Sequence, residues 1–251
     1  MTDGEDQIAG IRILYEDRGV LAVEKQPATM AQGSRSGEEG SLLSLLASEM
    51  KKDGSASFLT PVHRLDYGVG GVMLFAKTRQ SAAALSNAMQ SGETEKEYLC
   101  MVWGCPEEAK SEWEDYLYHD SGQNKTFLVT GPRKGAKAAK LSYRILGTSE
   151  ADGRPVALLG VRLFTGRTHQ IRAQLSGHGY PILCDGKYGG RRPLACRSAG
   201  IALWSYRFSF PAVRGKEQAA REEVVSVPGG GVWDLFSENL FELRKAAIRP
   251  S

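Results

Sequence analysis

The residues able to do chemistry gather in three short stretches of this chain. Pro61 to Lys77 reads PVHRLDYGVGGVMLFAK, in which His63-Arg64-Leu65-Asp66 precedes Gly68, Gly70 and Gly71 and then the apolar run Val72 to Ala76. Glycines directly before such a run predict a tight loop feeding a buried strand. Asp66 therefore stands at a strand mouth, in a loop whose missing side chains let a ligand approach the backbone. Lys96 to Trp103 (KEYLCMVW) predicts a strand with Tyr98, Cys100 and Val102 on one face. Thr165 to Asp185 (TGRTHQIRAQLSGHGYPILCD) sets two arginines and two histidines around a short helix. Taken singly, each stretch has an ordinary explanation. Asp66 can pair with Arg64 and cap a turn, which is worth little at a surface, and Tyr98 can be a core tyrosine with a bonded hydroxyl.

The elements that must position these residues follow from periodicity and turn chemistry. Ile11 to Tyr15 and Val20 to Val23, joined by Glu16-Asp17-Arg18-Gly19, predict a hairpin that Lys25-Gln26-Pro27 ends. Gln32 to Gly40 reads as a loop. Ser41 caps a short helix carrying Leu42, Leu45, Leu46 and Met50, closed by Gly54, and Thr78 caps a second over Arg79 to Gln90. Apolar bulk on both faces makes Lys96 to Trp103 a central strand. Residues 107–125 read as an acidic and aromatic segment running into a turn at Asp120 to Asn124. Strands are expected at Phe127 to Thr130, Leu141 to Leu146, Val156 to Phe164 and Ile201 to Phe210. Helices are expected at Arg167 to Ser176, with Ile171 and Leu175 on the apolar side and Arg172 at its edge, and at Val232 to Ala247. Residues 212–230 read as loop. Connections this short leave little room for crossover helices. They predict an α+β fold with a mixed, mainly antiparallel central sheet flanked by helices and loops. The expected organisation is one domain over 11–251 behind a flexible tail at 1–10.

Composition narrows the function. The chain has 251 residues, 41% hydrophobic and 24% charged, which is ordinary for a folded protein. A formal charge of +3 places any nucleic-acid contact in a local patch and not in the field of the whole molecule. The clearest such patch is Gly131 to Lys140 (GPRKGAKAAK), with Arg133, Lys134, Lys137 and Lys140; Arg191 and Arg192 add two more cations. Edge lysines that discourage aggregation are the competing explanation. The four cysteines show no C-x-x-C pair and no histidine at zinc spacing. Free thiols, with no charged-then-apolar leader and no run of about 20 apolar residues, predict a cytoplasmic protein without metal or membrane span.

Taken in order, HRLD with its glycine loop, KEYLCMVWG, and GRTHQIR with GYPILCDGKYG resemble the motifs of the RluA-type RNA pseudouridine synthases, within the wider RluA/RsuA group. The resemblance covers about residues 11–211. It implies isomerisation of uridine to pseudouridine in ribosomal or transfer RNA, with no metal or organic cofactor; the short N-terminus is expected to lack room for the small RNA-binding S4 domain that some relatives carry. Asp66 matches the family's essential aspartate, Tyr98 its base-contacting tyrosine, and Arg172 the arginine that pairs with that aspartate. Arg64 matches an arginine associated with the space a flipped nucleotide vacates, and Ile171 would wall the other side of the base.

The chemistry asks for these types. Asp66 has to be ionised to act, as nucleophile on the ribose or as base on its 2′ hydrogen, and a guanidinium within ~4–6 Å favours that form. Tyr98 offers a flat face and a phenol able to relay the C5 proton. Where the family continues HRLD with an arginine and a Thr-Ser-Gly group, this chain has Tyr67-Gly68-Val69-Gly70-Gly71, and Cys184 replaces a usual glycine. An RNA-binding or chaperone protein that kept the fold and lost the chemistry is the alternative. A carboxylate-pair hydrolase ranks last, since no second carboxylate has a suitable context. A monomer is the default expectation.

Overall fold

Apolar runs bounded by turn residues become strands along most of this chain. The computed structural model describes residues 7–33, 40–52, 58–194, 200–213 and 220–248. In chain order its elements are β1 (Gln7–Ile8), β2 (Ile11–Glu16), β3 (Val20–Lys25), α1 (Leu42–Lys52), β4 (Thr60–Pro61), β5 (Gly70–Ala76) and α2 (Arg79–Gln90). Then come β6 (Glu95–Trp103), β7 (Lys110–Asp120), β8 (Lys125–Val129), β9 (Ala136–Ala151), β10 (Arg154–Leu163) and α3 (Gln170–Gly177). The last are β11 (Leu203–Pro211), β12 (Arg221–Val225) and α4 (Ser237–Ile248). The chain divides into two compact units, one of Met1–Glu95 with Ser205–Ser226 and the other of Lys96–Trp204 with Val227–Ser251.

In the first unit the strand order is β1-β2-β3-β5-β11, with β4 beside β5 and β12 beside β11. The opening hairpin forms because the Asp17 carboxylate accepts the amides of Gly19 and Val20, both at 2.7 Å. β3 then pairs antiparallel with β5 from Val20 opposite Ala76 to Lys25 opposite Gly71. All of β5 is buried, and its Val72 and Leu74 join Val20, Ala22, Leu85, Phe208, Phe210 and Val224 in one core. α2 has the expected bounds, and its cap Thr78 accepts the Ser81 amide at 3.0 Å. His63 packs locally. Its ring stacks on Phe208 at 4.8 Å between centroids, and Nε2 accepts the Leu74 amide at 3.2 Å.

In the second unit the order is β6-β10-β9-β7-β8, every neighbouring pair antiparallel. An isolated parallel bridge joins Gly104 to Val156. Both units are α+β, mainly antiparallel. β7 replaces much of the irregular segment expected over 107–125. Its exposed Glu112 and Glu114 alternate with half-buried Trp113 and Asp115, a period of two hidden by the density of charge. β9 absorbs the end of the basic stretch and the turn residues expected after Leu146, and a bulge opposite Leu158 and Leu159 takes up the register change. β12 likewise lies where loop was expected, paired with β11 from Arg207 opposite Val225 to Pro211 opposite Arg221. α3 starts at Gln170, not Arg167. It is buried from Gln170 to Leu175, so it has no solvent face for Arg172 to edge.

Gln7–Ile8 of the expected tail pairs with β2. Residues 1–6, the loop expected at 34–39 and the helix stop at Gly54 lie outside the described residues. Among the described residues no helix is long and apolar enough to cross a membrane.

Gly71 explains one of the three loop glycines. Its φ is +108°, and a Cβ there would stand 2.2 Å from the carbonyl oxygen of Ser205 in β11. The room left by its missing side chain is occupied by a neighbouring strand, which corrects the reading of this glycine as room for a ligand. Strain and overpacking each cost on the order of 1–3 kcal/mol, so Gly71→Ala should lower stability by about 3 kcal/mol or more in urea unfolding. Gly186→Ala, where nothing lies within 4 Å, should stay within about 0.5 kcal/mol of the parent.

Candidate active site

The HRLD loop is braced from below. Leu65 is buried, Arg64 and Tyr67 are exposed, and Asp66 between them is half-buried. The Val69 amide donates to the Asp66 carbonyl at 3.0 Å, and the Ala28 amide donates to the Tyr67 carbonyl at 2.9 Å. Beneath lies Lys25, the last residue of β3, 0% exposed. Its ammonium donates to the carbonyls of Gln26 at 3.1 Å, Tyr67 at 3.3 Å and Val69 at 2.7 Å. Burial pulls its pKa down to about 8, and the Asp66 carboxylate opposes that fall. At neutral pH most of the population therefore carries a fixed positive charge near Asp66. By sequence alone Lys25 only helps end a hairpin. The available signal was its period: Lys25 continues the inward stripe of Leu21 and Val23.

The second unit holds Tyr98, Ile171 and Arg172. Tyr98 is buried on β6 opposite Val161 of β10, on the face it shares with Cys100 and Val102. Burial raises the Cys100 thiol well above its usual range, which leaves it inert. The chain enters α3 through a side-chain weave. Thr165 Oγ1 accepts the Lys140 amide at 2.9 Å and donates to Gln170 Oε1 at 2.8 Å, while Gln170 Nε2 donates to the Lys140 carbonyl at 3.1 Å. His169 sits in the left-handed region at φ +53°, its Nδ1 2.9 Å from the Tyr188 hydroxyl. That hydroxyl also accepts the Thr126 amide at 2.7 Å.

Arg172 is 8% exposed and gripped by a carboxylate that sequence reasoning missed. Its Nε donates to Asp185 Oδ2 at 2.7 Å and its Nη2 to Asp185 Oδ1 at 2.9 Å. The guanidinium carbon stands 4.9 Å from the centre of the Tyr188 ring. Asp185 is itself buried. Two fixed bonds and a ring face set the guanidinium plane. The GYPILCD stretch was the signal for this partner. The residue before it, Cys184, holds φ +67°, a backbone shape that favours glycine.

The expected RNA-facing cations divide. Arg133, Lys134, Lys137, Arg191 and Arg192 are exposed, and Arg133 lies 5.0 Å over the Tyr118 ring. Lys140 differs. Its ammonium is held by Glu112 at 2.6 Å and Glu114 at 2.8 Å, which raise its pKa, so a phosphate there would have to displace two carboxylates. Strand geometry also sends Lys137 and Lys140, three residues apart, to opposite faces of β9. The patch read as one loop is therefore split by a strand.

Two buried charges give measurable consequences. The folded chain releases the Lys25 proton near pH 8 and the unfolded chain near 10.5, so stability rises with pH across that window. The gain should approach about 3 kcal/mol and be missing from Lys25→Met in urea unfolding at stepped pH. Asp185→Asn, which breaks the buried pair with Arg172, should cost about 3 kcal/mol by the same measurement at pH 7.

Residues 19–177, which include HRLD, KEYLCMVW and GRTHQIR, match the model of the RNA pseudouridylate synthase family. The chain is 33% identical over 200 residues to YjbO of Bacillus subtilis, an uncharacterized RNA pseudouridine synthase, covering 79% of this chain and 66% of that protein. To the ribosomal large subunit pseudouridine synthase D of Pseudomonas aeruginosa it is 29% identical over 181 residues, covering 72% and 54%. It thus spans less than two thirds of the length of these relatives. The fold is similar to that of human RNA pseudouridylate synthase domain containing 1, with a TM-score of 0.73 at 18% identity over 98% of this chain and 99% of that one. The long match to the family model, carried by the same motifs that hold the braced loop and the fixed arginine, shows that this chain belongs to the RNA pseudouridylate synthase family.

Proposed function

We propose that the protein is an RNA pseudouridine synthase that isomerises a uridine in structured ribosomal or transfer RNA, with Asp66 as the acting carboxylate and residues 11–251 as one working domain in the cytoplasm. Family membership supports the reaction class. The observation that supports Asp66 is its loop, in which a buried ammonium and two backbone bonds hold the carboxylate's backbone at a strand mouth. The ribosomal relative favours ribosomal RNA without excluding transfer RNA.

In this reading the bond between N1 and the ribose breaks, the uracil turns, C5 bonds to the ribose, and the hydrogen on C5 leaves as a proton while N1 gains one. Atoms and electrons balance without a co-reactant. Asp66 serves as nucleophile on the ribose or as base on its 2′ hydrogen. Tyr98 lies against the base and relays the C5 proton, Ile171 walls the base, and Arg172 supplies the guanidinium that partners the acting carboxylate Asp66. Arg64 occupies space left by the flipped nucleotide. Arg133, Lys134, Lys137, Arg191 and Arg192 meet phosphates, which makes binding weaken steeply with salt.

Asp66→Asn should abolish pseudouridine formation, by about 10³-fold or more, while RNA binding and the unfolding midpoint stay close to the parent. Single-turnover release of tritium from RNA labelled at uridine C5 measures it. Near-parental release by Asp66→Asn removes Asp66 from the mechanism. Tight RNA binding by the parent with no release over a broad RNA panel would mark an RNA-binding protein that has lost the reaction.

A further inference from the structure

Tyr67 is built in a way that its place in the loop does not require. Its side chain is 60% exposed, while the backbone on either side is tied down. Its carbonyl accepts both the Ala28 amide at 2.9 Å and the Lys25 ammonium at 3.3 Å, Leu65 is anchored in the core, and Val69 closes the turn onto Asp66. Among the described residues the Tyr67 ring has no aromatic or cationic neighbour to hold it. The protein thus presents a bare ring from a rigid backbone, directly after the proposed acting carboxylate. Arg64, two residues before Asp66, is exposed as well. A cation and an aromatic ring therefore bracket the carboxylate in sequence and remain open to solvent.

That combination suits a nucleotide. A ring face stacks on any base and a guanidinium takes a phosphate. An acidic peptide would use only the cation, and an apolar protein surface needs a broader patch than one ring beside Arg64 and Gly68 provides. A tyrosine on a fixed backbone also loses little conformational freedom on contact.

We propose that Tyr67 is the stacking platform for a base next to the target uridine in unpaired RNA, and so helps set which sequence context is accepted. This rests on Asp66 being the acting carboxylate.

The test uses total RNA from cells lacking this gene, labelled with tritium at uridine C5. Single-turnover release and filter binding are measured for the parent, Tyr67→Ala, Tyr67→Phe and Asp66→Asn. Stacking worth about 1–3 kcal/mol per base predicts that Tyr67→Ala weakens half-saturation and binding by roughly 5- to 150-fold. Its rate at saturation should remain within about threefold, and Tyr67→Phe should match the parent because stacking needs the ring and not the hydroxyl. Parental binding and half-saturation in Tyr67→Ala would overturn the proposal, as would equal damage in Tyr67→Phe. So would a loss in Tyr67→Ala accompanied by a fall in its unfolding midpoint, which would mark a structural role. Full activity of Asp66→Asn would instead defeat the reading of Asp66. Filter binding still reports on Tyr67 in that case, because it needs no turnover.

Discussion

An ammonium ion taken fully out of water is stable only if each of its donors is met. At Lys25 this constraint organises the first unit around a loop. The three N–H groups go to three backbone carbonyls, of Gln26, Tyr67 and Val69, and two of these acceptors belong to the segment that carries Asp66. The dependence runs both ways. Without the loop carbonyls the cation would be left without partners in the interior, and without the cation the loop would lose the ties that define its path. Antiparallel pairing of β3 with β5 puts Lys25 opposite Gly71 and so brings the ammonium to the base of the loop. Gly71 in turn exists to let β11 pass, because a Cβ would meet the backbone of Ser205. Conformational freedom is used here for packing, and rigidity is what reaches Asp66.

The second unit applies the same logic with opposite charges. Arg172 and Asp185 are both buried, and their two parallel hydrogen bonds offset part of the cost of removing the pair from water. The Tyr188 ring lies against the guanidinium, and the Tyr188 hydroxyl ties His169 to the start of β8. Gln170 is also buried and bonded, so polar contacts hold α3 alongside its buried Ile171, Ala173 and Leu175. A helix of eight residues has little stability of its own, and this packing supplies what propensity cannot.

The surface shows why a modest net charge tells little about RNA contact. Lys140 lies in the most basic stretch of the chain, yet two glutamates from β7 neutralise it across the sheet. Arg133 and Lys137 in the same stretch stay exposed. Cross-strand neighbours decide which cation is available, and those neighbours lie 28 and 26 residues back in the chain, in no pattern a local window registers.

Local rules determined much of this protein. The Asp17 turn, the Thr78 cap with α2, the buried run of β5, and the strand carrying Tyr98 follow from short-range period and turn chemistry and were legible without a structure. The motifs around Asp66 and Arg172 were legible too, because their residue types and order carry the family. β7 and the long β9 were not, since charged residues on an exposed face and turn-forming residues inside a strand imitate irregular chain. Lys25 and Asp185 were hidden for a deeper reason. A lysine before Gln-Pro and an aspartate before Gly are ordinary surface residues until the fold removes them from water. Burial, ion pairing and carbonyl acceptors are relations between distant segments, and only the tertiary structure decided that these two charges would lie inside and hold the proposed site residues in place.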